Sequence, residues 1–262
     1  MNGLGFINIE LTSRCNKSCW MCGRRKRERE HPELCSYGDM EYDTLRLIHF
    51  QTPKGIVVQF HNNGEPLLYP FLGRALNLFH DNIRCLDTNA KLLLERADEI
   101  IGNLETLTIS VIENDPEGDS QYETVKQFLA IKGNNRPYMV YRLLGAVAHP
   151  ERWESLAGVC ATRILHSPMG SRDYKKKVTK PEIGVCLDLL THLAIDRYGN
   201  ISLCVRFDPE GKLRLGNVNT LSLRDAWLSD KRRKYIEYHI QQRRSELPGC
   251  QSCDFWGVPT GG

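Results

Sequence analysis

Between residues 5 and 166, short β-branched apolar runs alternate with amphipathic stretches, and this alternation constrains the fold more than any other feature of the chain. Strands are predicted at Phe6–Leu11, Ile56–Phe60, Ile83–Asp87, Thr106–Ile112, Tyr138–Ala146 and Thr162–Leu165. Between them, apolar residues recur at the three-to-four spacing of helices with one buried face, as in Phe71 to Phe79, Leu92 to Ile101 and Tyr122 to Leu129. Each crossover must return to the same edge of the sheet, so the strands should be parallel with helices outside them. Six such units make an open, partial barrel, and barrels of this kind carry their chemistry at the C-terminal ends of the strands.

After residue 166 the pattern changes. A polar stretch with two prolines, including Lys175-Lys-Lys-Val-Thr-Lys-Pro181, reads as a linker over 167–183 between a barrel of residues 1–166 and a C-terminal unit of residues 184–262. In that unit a β-hairpin is expected from Leu189–Ile195 and Ile201–Val205 around Arg197-Tyr-Gly-Asn200, followed by a helix over Ser222–Gln242.

The chain has 262 residues, long enough for a substantial core, and 41% of them are hydrophobic, which argues against disorder. A net charge of +3 is too small to point to nucleic acid or an anionic membrane. There is no signal peptide and no apolar run of about 18 residues, so a cytoplasmic protein with no nucleic-acid or membrane partner is expected.

Ten cysteines in a chain with these properties suggest metal or redox chemistry more than a disulfide framework. Cys15, Cys19 and Cys22 form CxxxCxxC directly behind the first strand. Three thiolates so spaced suit a cubane iron-sulfur cluster with one iron left open, and a redox CxxC would not require the third. Cys186, Gly199 and Cys204 make C-x12-G-x4-C, and Cys250 and Cys253 add a CxxC. Four thiolates are compatible with zinc or with a fully ligated cluster, and spacing alone does not separate the two. Cys85 and Cys160 read as small packed hydrophobes, and Cys35 as a loop thiol after the first motif. The run Arg24 to Glu30 reads as a solvated face with internal charge pairing. Arg142, a charge inside an apolar strand, must meet a carboxylate, whether of the chain or of a ligand.

The CxxxCxxC loop between a strand and a helix resembles the radical S-adenosylmethionine (SAM) enzymes, and the later cysteines resemble the short twitch form of their SPASM/twitch subgroup. Among characterised families the layout is nearest to the 2-deoxy-scyllo-inosamine dehydrogenases. The resemblance implies an α/β fold, a partial (β/α)6 TIM-like barrel with a small C-terminal twitch domain of β-hairpin plus helix. It implies two [4Fe-4S] clusters, at Cys15, Cys19 and Cys22 and at Cys186, Cys204, Cys250 and Cys253, with SAM on the open iron. Asn63, Gly64 and Glu65 stand where relatives recognise the SAM amino group, Asn63 replacing a usual glycine. Thr88, Asn89 and Ser110 match positions lining the SAM cleft, and Arg142 would contact SAM or substrate.

The resemblance further implies a flavodoxin- or ferredoxin-type electron donor and a hydrogen-atom abstraction. Three functions are open: a dehydrogenase of a small polyol or amino sugar, a maturase of a ribosomally made peptide, and a non-enzymatic zinc or electron-transfer protein. A redox-neutral epimerase, a variant of the first two, would use Cys35 to return a hydrogen atom.

Overall fold

The computed structural model describes residues 1–163, 185–205, 208 and 211–253. The expected linker at 167–183 and the C-terminal residues 254–262 lie outside them. The first half alternates as expected: β1 (Phe6–Ile9), α1 (Gly23–Glu30), α2 (Tyr42–Gln51), β2 (Val57–Gln59), α3 (Leu72–Leu78), β3 (Ile83–Thr88), α4 (Ala97–Ile100), β4 (Thr106–Ile112), α5 (Gly118–Lys132), β5 (Tyr138–Leu144), α6 (Pro150–Glu154) and β6 (Val159–Arg163). Strands β1 to β6 are parallel neighbours in sequence order.

The sheet does not end at β1. After α7 (Leu187–Thr191), strand β7 (His192–Ile195) pairs parallel with β1, Phe6 opposite His192, and their rings stack at 4.3 Å. Strands β8 (Asn200–Ser202) and β9 (Arg214–Asn217) continue antiparallel, giving nine strands in one sheet among the described residues. Two helices, α8 (Leu223–Trp227) and α9 (Asp230–Ile240), close the described chain.

Along each strand the two faces differ. Ile7, Ile9, Val58, Phe60, Leu86, Leu107, Ile109, Tyr141 and Leu193 point to one side and share a core with Leu45 and Ile48 of α2, Leu76 of α3, Phe128 of α5 and Trp153 of α6. Removal of each such side chain from water contributes about 1.5–3 kcal/mol. The intervening positions, among them Asn8, Gln59, Asp87, Thr108 and Arg142, fall on the opposite, inner face because strand side chains alternate with period two.

Several elements depart from the sequence reading. Strand β6 begins three residues earlier than expected, at Val159, because pairing with β5 sets its register. The Leu92 to Ile101 stretch is mostly turns with only Ala97–Ile100 helical, entered through Ala90 at φ +66°. The single helix over Ser222–Gln242 is two, since Ser229 stops the first and caps the second by accepting from the Arg232 amide, as Ser222 caps α8. The expected hairpin strand from Leu189 begins as helix and becomes strand only at His192, and β9 has no counterpart in the sequence reading.

Phe60 is fully buried and meets Phe79 edge-on at 5.4 Å. Phe60→Ala is expected to cost about 3–5 kcal/mol in unfolding free energy, measured by urea denaturation of the isolated protein.

Candidate functional site

The three N-terminal cysteines occupy the loop that leaves β1 and enters α1, with Cys22 as the residue before the first helical turn. All three thiols are partly buried and free. Burial raises the Cys15 thiol above its ordinary range; burial, aided by Cys22, raises Cys19 to about 11. Deprotonating these sulfurs requires a compensating cation, as a metal would supply.

Neighbouring loops hold this loop in place. Lys17, between the first two cysteines, is buried and donates to Asp115 Oδ2 at 2.5 Å, with Glu117 at 3.5 Å, both on the loop after β4. Trp20 Nε1 donates to the Glu113 carbonyl at 3.2 Å. Asn89, beyond β3, donates to Asn16 Oδ1 at 2.8 Å and lies 3.9 Å from Cys15 Sγ.

The segment His61 to Pro66 packs directly beneath. A Cβ on Gly64 would meet the Thr12 carbonyl oxygen at 2.0 Å and that of Arg14 at 2.8 Å, so only glycine permits this approach. The Glu65 amide donates to the Arg14 carbonyl at 2.8 Å. The Glu65 side chain was expected to face a SAM ammonium, but both of its oxygens are engaged within the protein. They accept from the Thr88 hydroxyl at 2.7 Å, the Leu67 amide at 3.1 Å and the Asn89 amide at 2.8 Å. Its residue is 2% exposed, and burial pushes its carboxyl up despite those bonds. Thr88 is likewise occupied as a loop fastener, whereas the Asn89 side chain does reach the cysteine loop.

On the inner face Arg142 meets its carboxylate within the chain. It donates to Asp87 Oδ2, while Gln59 Nε2 donates to Oδ1 at 2.8 Å and His61 Nδ1 stands 3.6 Å from Oδ2. Burial raises the Asp87 carboxyl, but His61 and Arg142 outweigh it and hold the group below its usual value. Ser110 lies in register with Arg142, and its carbonyl accepts from Gln121 at 3.0 Å. Asp87 and His61 escaped the sequence reading. The available signal was a polar residue at alternate positions of apolar strands, recognised only at Arg142.

A polar cavity opens over the same face toward the C-terminal strands, lined by Glu10, Ser13, Asn63, Arg197, Asn200 and Cys204 among others. Glu10 is 6% exposed, its carboxyl raised by burial, and it accepts from the Arg197 amide at 3.2 Å. Leu34 and Ser36 line this cavity. The Cys35 thiol between them approaches the His31 carbonyl at 3.5 Å within its own turn.

Cys186, Cys204, Cys250 and Cys253 line one cavity whose wall includes Leu189, Leu203, Leu213 and Tyr235. These residues form a second small core separate from that of the sheet. Burial lifts Cys186 to about 11 and Cys250 to about 12. Cys204 borders both cavities. Among the described residues no three His, Cys, Asp or Glu side chains converge as ligands of a single ion.

Residues 186–254 match the SPASM family, an iron-sulfur cluster-binding domain. The chain is 25% identical over 261 residues to the S-adenosyl-L-methionine-dependent 2-deoxy-scyllo-inosamine dehydrogenase of Niallia circulans, covering 97% of this chain and 94% of that protein. The fold is similar to BtrN in complex with AdoMet and 2-DOIA, with TM-score 0.61 and 19% identity over 95% of this chain and 92% of the other. It is also similar to Streptococcus suis SuiB bound to precursor peptide SuiA, with TM-score 0.65 and 16% identity over 99% of this chain and 71% of that one. The chain has the mostly parallel sheet of these partial barrels, and over nearly its whole length it is similar to S-adenosylmethionine-dependent enzymes of the SPASM/twitch type. Among the described residues no helix is long and apolar enough to cross a membrane.

Gly64→Ala is expected to cost at least about 1–3 kcal/mol of stability and to lower iron uptake, read by urea denaturation and iron analysis. The lowered Asp87 carboxyl contributes stability that is complete above the ordinary carboxylate pKa near 3.8 and disappears as pH falls through the folded value. The stability gap between wild type and Asp87→Asn should therefore narrow on acidification through the carboxylate range, below about pH 4, measured by denaturation at each pH.

Proposed function

We propose that the chain is an oxidoreductase that takes a hydrogen atom from a small polar alcohol, a polyol or amino sugar, using SAM at a cluster on Cys15, Cys19 and Cys22. A second cluster on Cys186, Cys204, Cys250 and Cys253 would receive an electron. The observation that carries this reading is the continuous polar inner face. It runs from Arg142 on β5 through Asp87 and Gln59 to Asn8 on β1, whose neighbour Ala194 on β7 borders the polar cavity that also reaches Cys204. Near-complete alignment with a dehydrogenase of an aminocyclitol supports the same substrate class.

The donor sets suit such groups. Thiols of both sets are half-buried, and the C-terminal set is walled by aliphatic side chains that exclude water. Among the described residues the second core has five buried apolar side chains, Leu189, Leu203, Leu213, Tyr235 and Leu247, and Cys186, Cys204 and Cys250 pack against it. When bound, a reduced cluster supplies the electron that cleaves the SAM sulfonium, generating a carbon radical able to attack an unactivated C–H bond. The chain's own contribution is positional. Lys17, Trp20 and Asn89 fix the cysteine loop; Gly64 lets the β2 loop pack against the Thr12 and Arg14 carbonyls at the start of that loop; Arg142, Asp87 and Gln59 present polar groups to a hydroxylated substrate.

Anaerobic reconstitution should give about eight irons per chain and, with dithionite, SAM cleavage to 5′-deoxyadenosine. Cys15→Ala should abolish cleavage, while Cys253→Ala should fall to about four irons and still cleave SAM without turning over substrate. No cleavage by the reduced wild type would remove the reading in favour of a zinc or electron-transfer protein. Unchanged turnover in Cys35→Ala would exclude an epimerase thiol, and tight leader-peptide binding would favour a peptide maturase.

A further inference from the structure

One cluster of side chains on the inner face is used neither by the thiol sets nor by the fastening of the β2 loop. His61 is the second residue beyond β2, and its Nδ1 faces Asp87 Oδ2 at 3.6 Å. The Asp87 side chain is 5% exposed and held from three strands, by Gln59 on β2, Thr108 on β4 and Arg142 on β5. From β1, Asn8 donates to the His61 carbonyl at 3.4 Å, which fixes the backbone that carries the ring. The imidazole side chain is 32% exposed, open to the face while its partner is not.

A buried, immobile carboxylate 3.6 Å from one imidazole nitrogen, just beyond hydrogen-bond distance, favours through its charge the tautomer with the proton on that nitrogen. The opposite nitrogen, Nε2, then acts as an acceptor. Arg142 already balances the Asp87 charge, so the carboxylate orients the ring without binding a second cation permanently. Placement agrees with a role in the reaction. Asn89, two residues after Asp87, touches Cys15 Sγ. Two residues of strand rise are about 6.6 Å, which sets the pair roughly that far beneath the cysteine loop.

We propose that His61, oriented by Asp87, is the proton acceptor of the oxidation, taking the hydroxyl proton of a secondary alcohol at Nε2. The inference rests on the dehydrogenase reading above. In that reaction the carbinol C–H bond breaks as a hydrogen atom passes to the deoxyadenosyl carbon. The O–H bond breaks as its proton passes to His61, one electron passes to an iron-sulfur acceptor, and the C=O π bond forms. One hydrogen atom, one proton and one electron leave the alcohol, which balances its oxidation to a ketone.

The test uses the reconstituted enzyme with 2-deoxy-scyllo-inosamine and a panel of related cyclitols and amino sugars deuterated at the carbinol carbon. His61→Gln and His61→Asn should still move deuterium into 5′-deoxyadenosine but release about 100-fold less ketone per 5′-deoxyadenosine. Added imidazole should restore ketone in His61→Gly. In the protein without substrate, Asp87→Asn should shift the pH titration of the His61 ring followed by NMR. A wild-type ketone ratio in both His61 variants would overturn the proposal, as would a His61 titration indifferent to Asp87→Asn. Deuterium transfer lost together with ketone would also overturn it, assigning His61 to substrate binding. Wild type that cleaves SAM but draws deuterium from no member of the panel would instead overturn the dehydrogenase reading on which it rests.

Discussion

A single buried carboxylate ties together the working end of this molecule. Glu65 accepts from the end of β3 through Thr88 and Asn89 and from the turn after it through Leu67, while its own amide reaches back to Arg14 at the start of the cysteine loop. A charged or protonated carboxyl at 2% exposure is tolerable only when its oxygens are satisfied, and here three donors satisfy them. The consequence is that the loops after β1, β2 and β3 cannot move independently. Gly64, one residue earlier, makes the contact close enough to matter by leaving out a side chain where Thr12 and Arg14 carbonyls stand.

The sheet separates folding from chemistry by its period of two. Positions facing the helices are aliphatic and aromatic and fully buried, and they provide the burial that stabilises the fold. Positions between them are free to be polar because the helices never cover that face. Charged and amide side chains from five strands therefore gather on a rigid scaffold without a penalty to the core. Asp87 shows how such a group is kept ionised: the Arg142 guanidinium, with His61 beside it, and hydrogen bonds from neighbouring strands outweigh the cost of its burial.

Joining β7 to β1 changes what the C-terminal segment can do. Had the hairpin packed elsewhere, its four thiols would form a separate site. Pairing with β1 makes the β7–β8 turn a wall of the cavity over the inner face and brings Cys204 to its edge. The small core of Leu189, Leu203, Leu213, Tyr235 and Leu247 packs against Cys186, Cys204 and Cys250.

Much of this was determined by local sequence. Alternating patterns placed six parallel strands, and residue spacing marked Cys15, Cys19 and Cys22 as one set, since both depend on neighbours a few positions apart, whereas Cys186, Cys204, Cys250 and Cys253 meet around one cavity only in the fold. Strand edges, the split between α8 and α9 and the existence of β9 were not legible, because serine caps and register compete with periodicity over only a few residues. Nor could the chain by itself say whether Arg142 would meet a ligand or Asp87, whether Glu65 would face outward or fasten loops, or that His61 would stand beside Asp87. Those pairings join residues 23 to 55 positions apart. Only the stacking of strands in space brings them within hydrogen-bonding or ion-pair distance, so the tertiary structure alone decided which polar groups share the site.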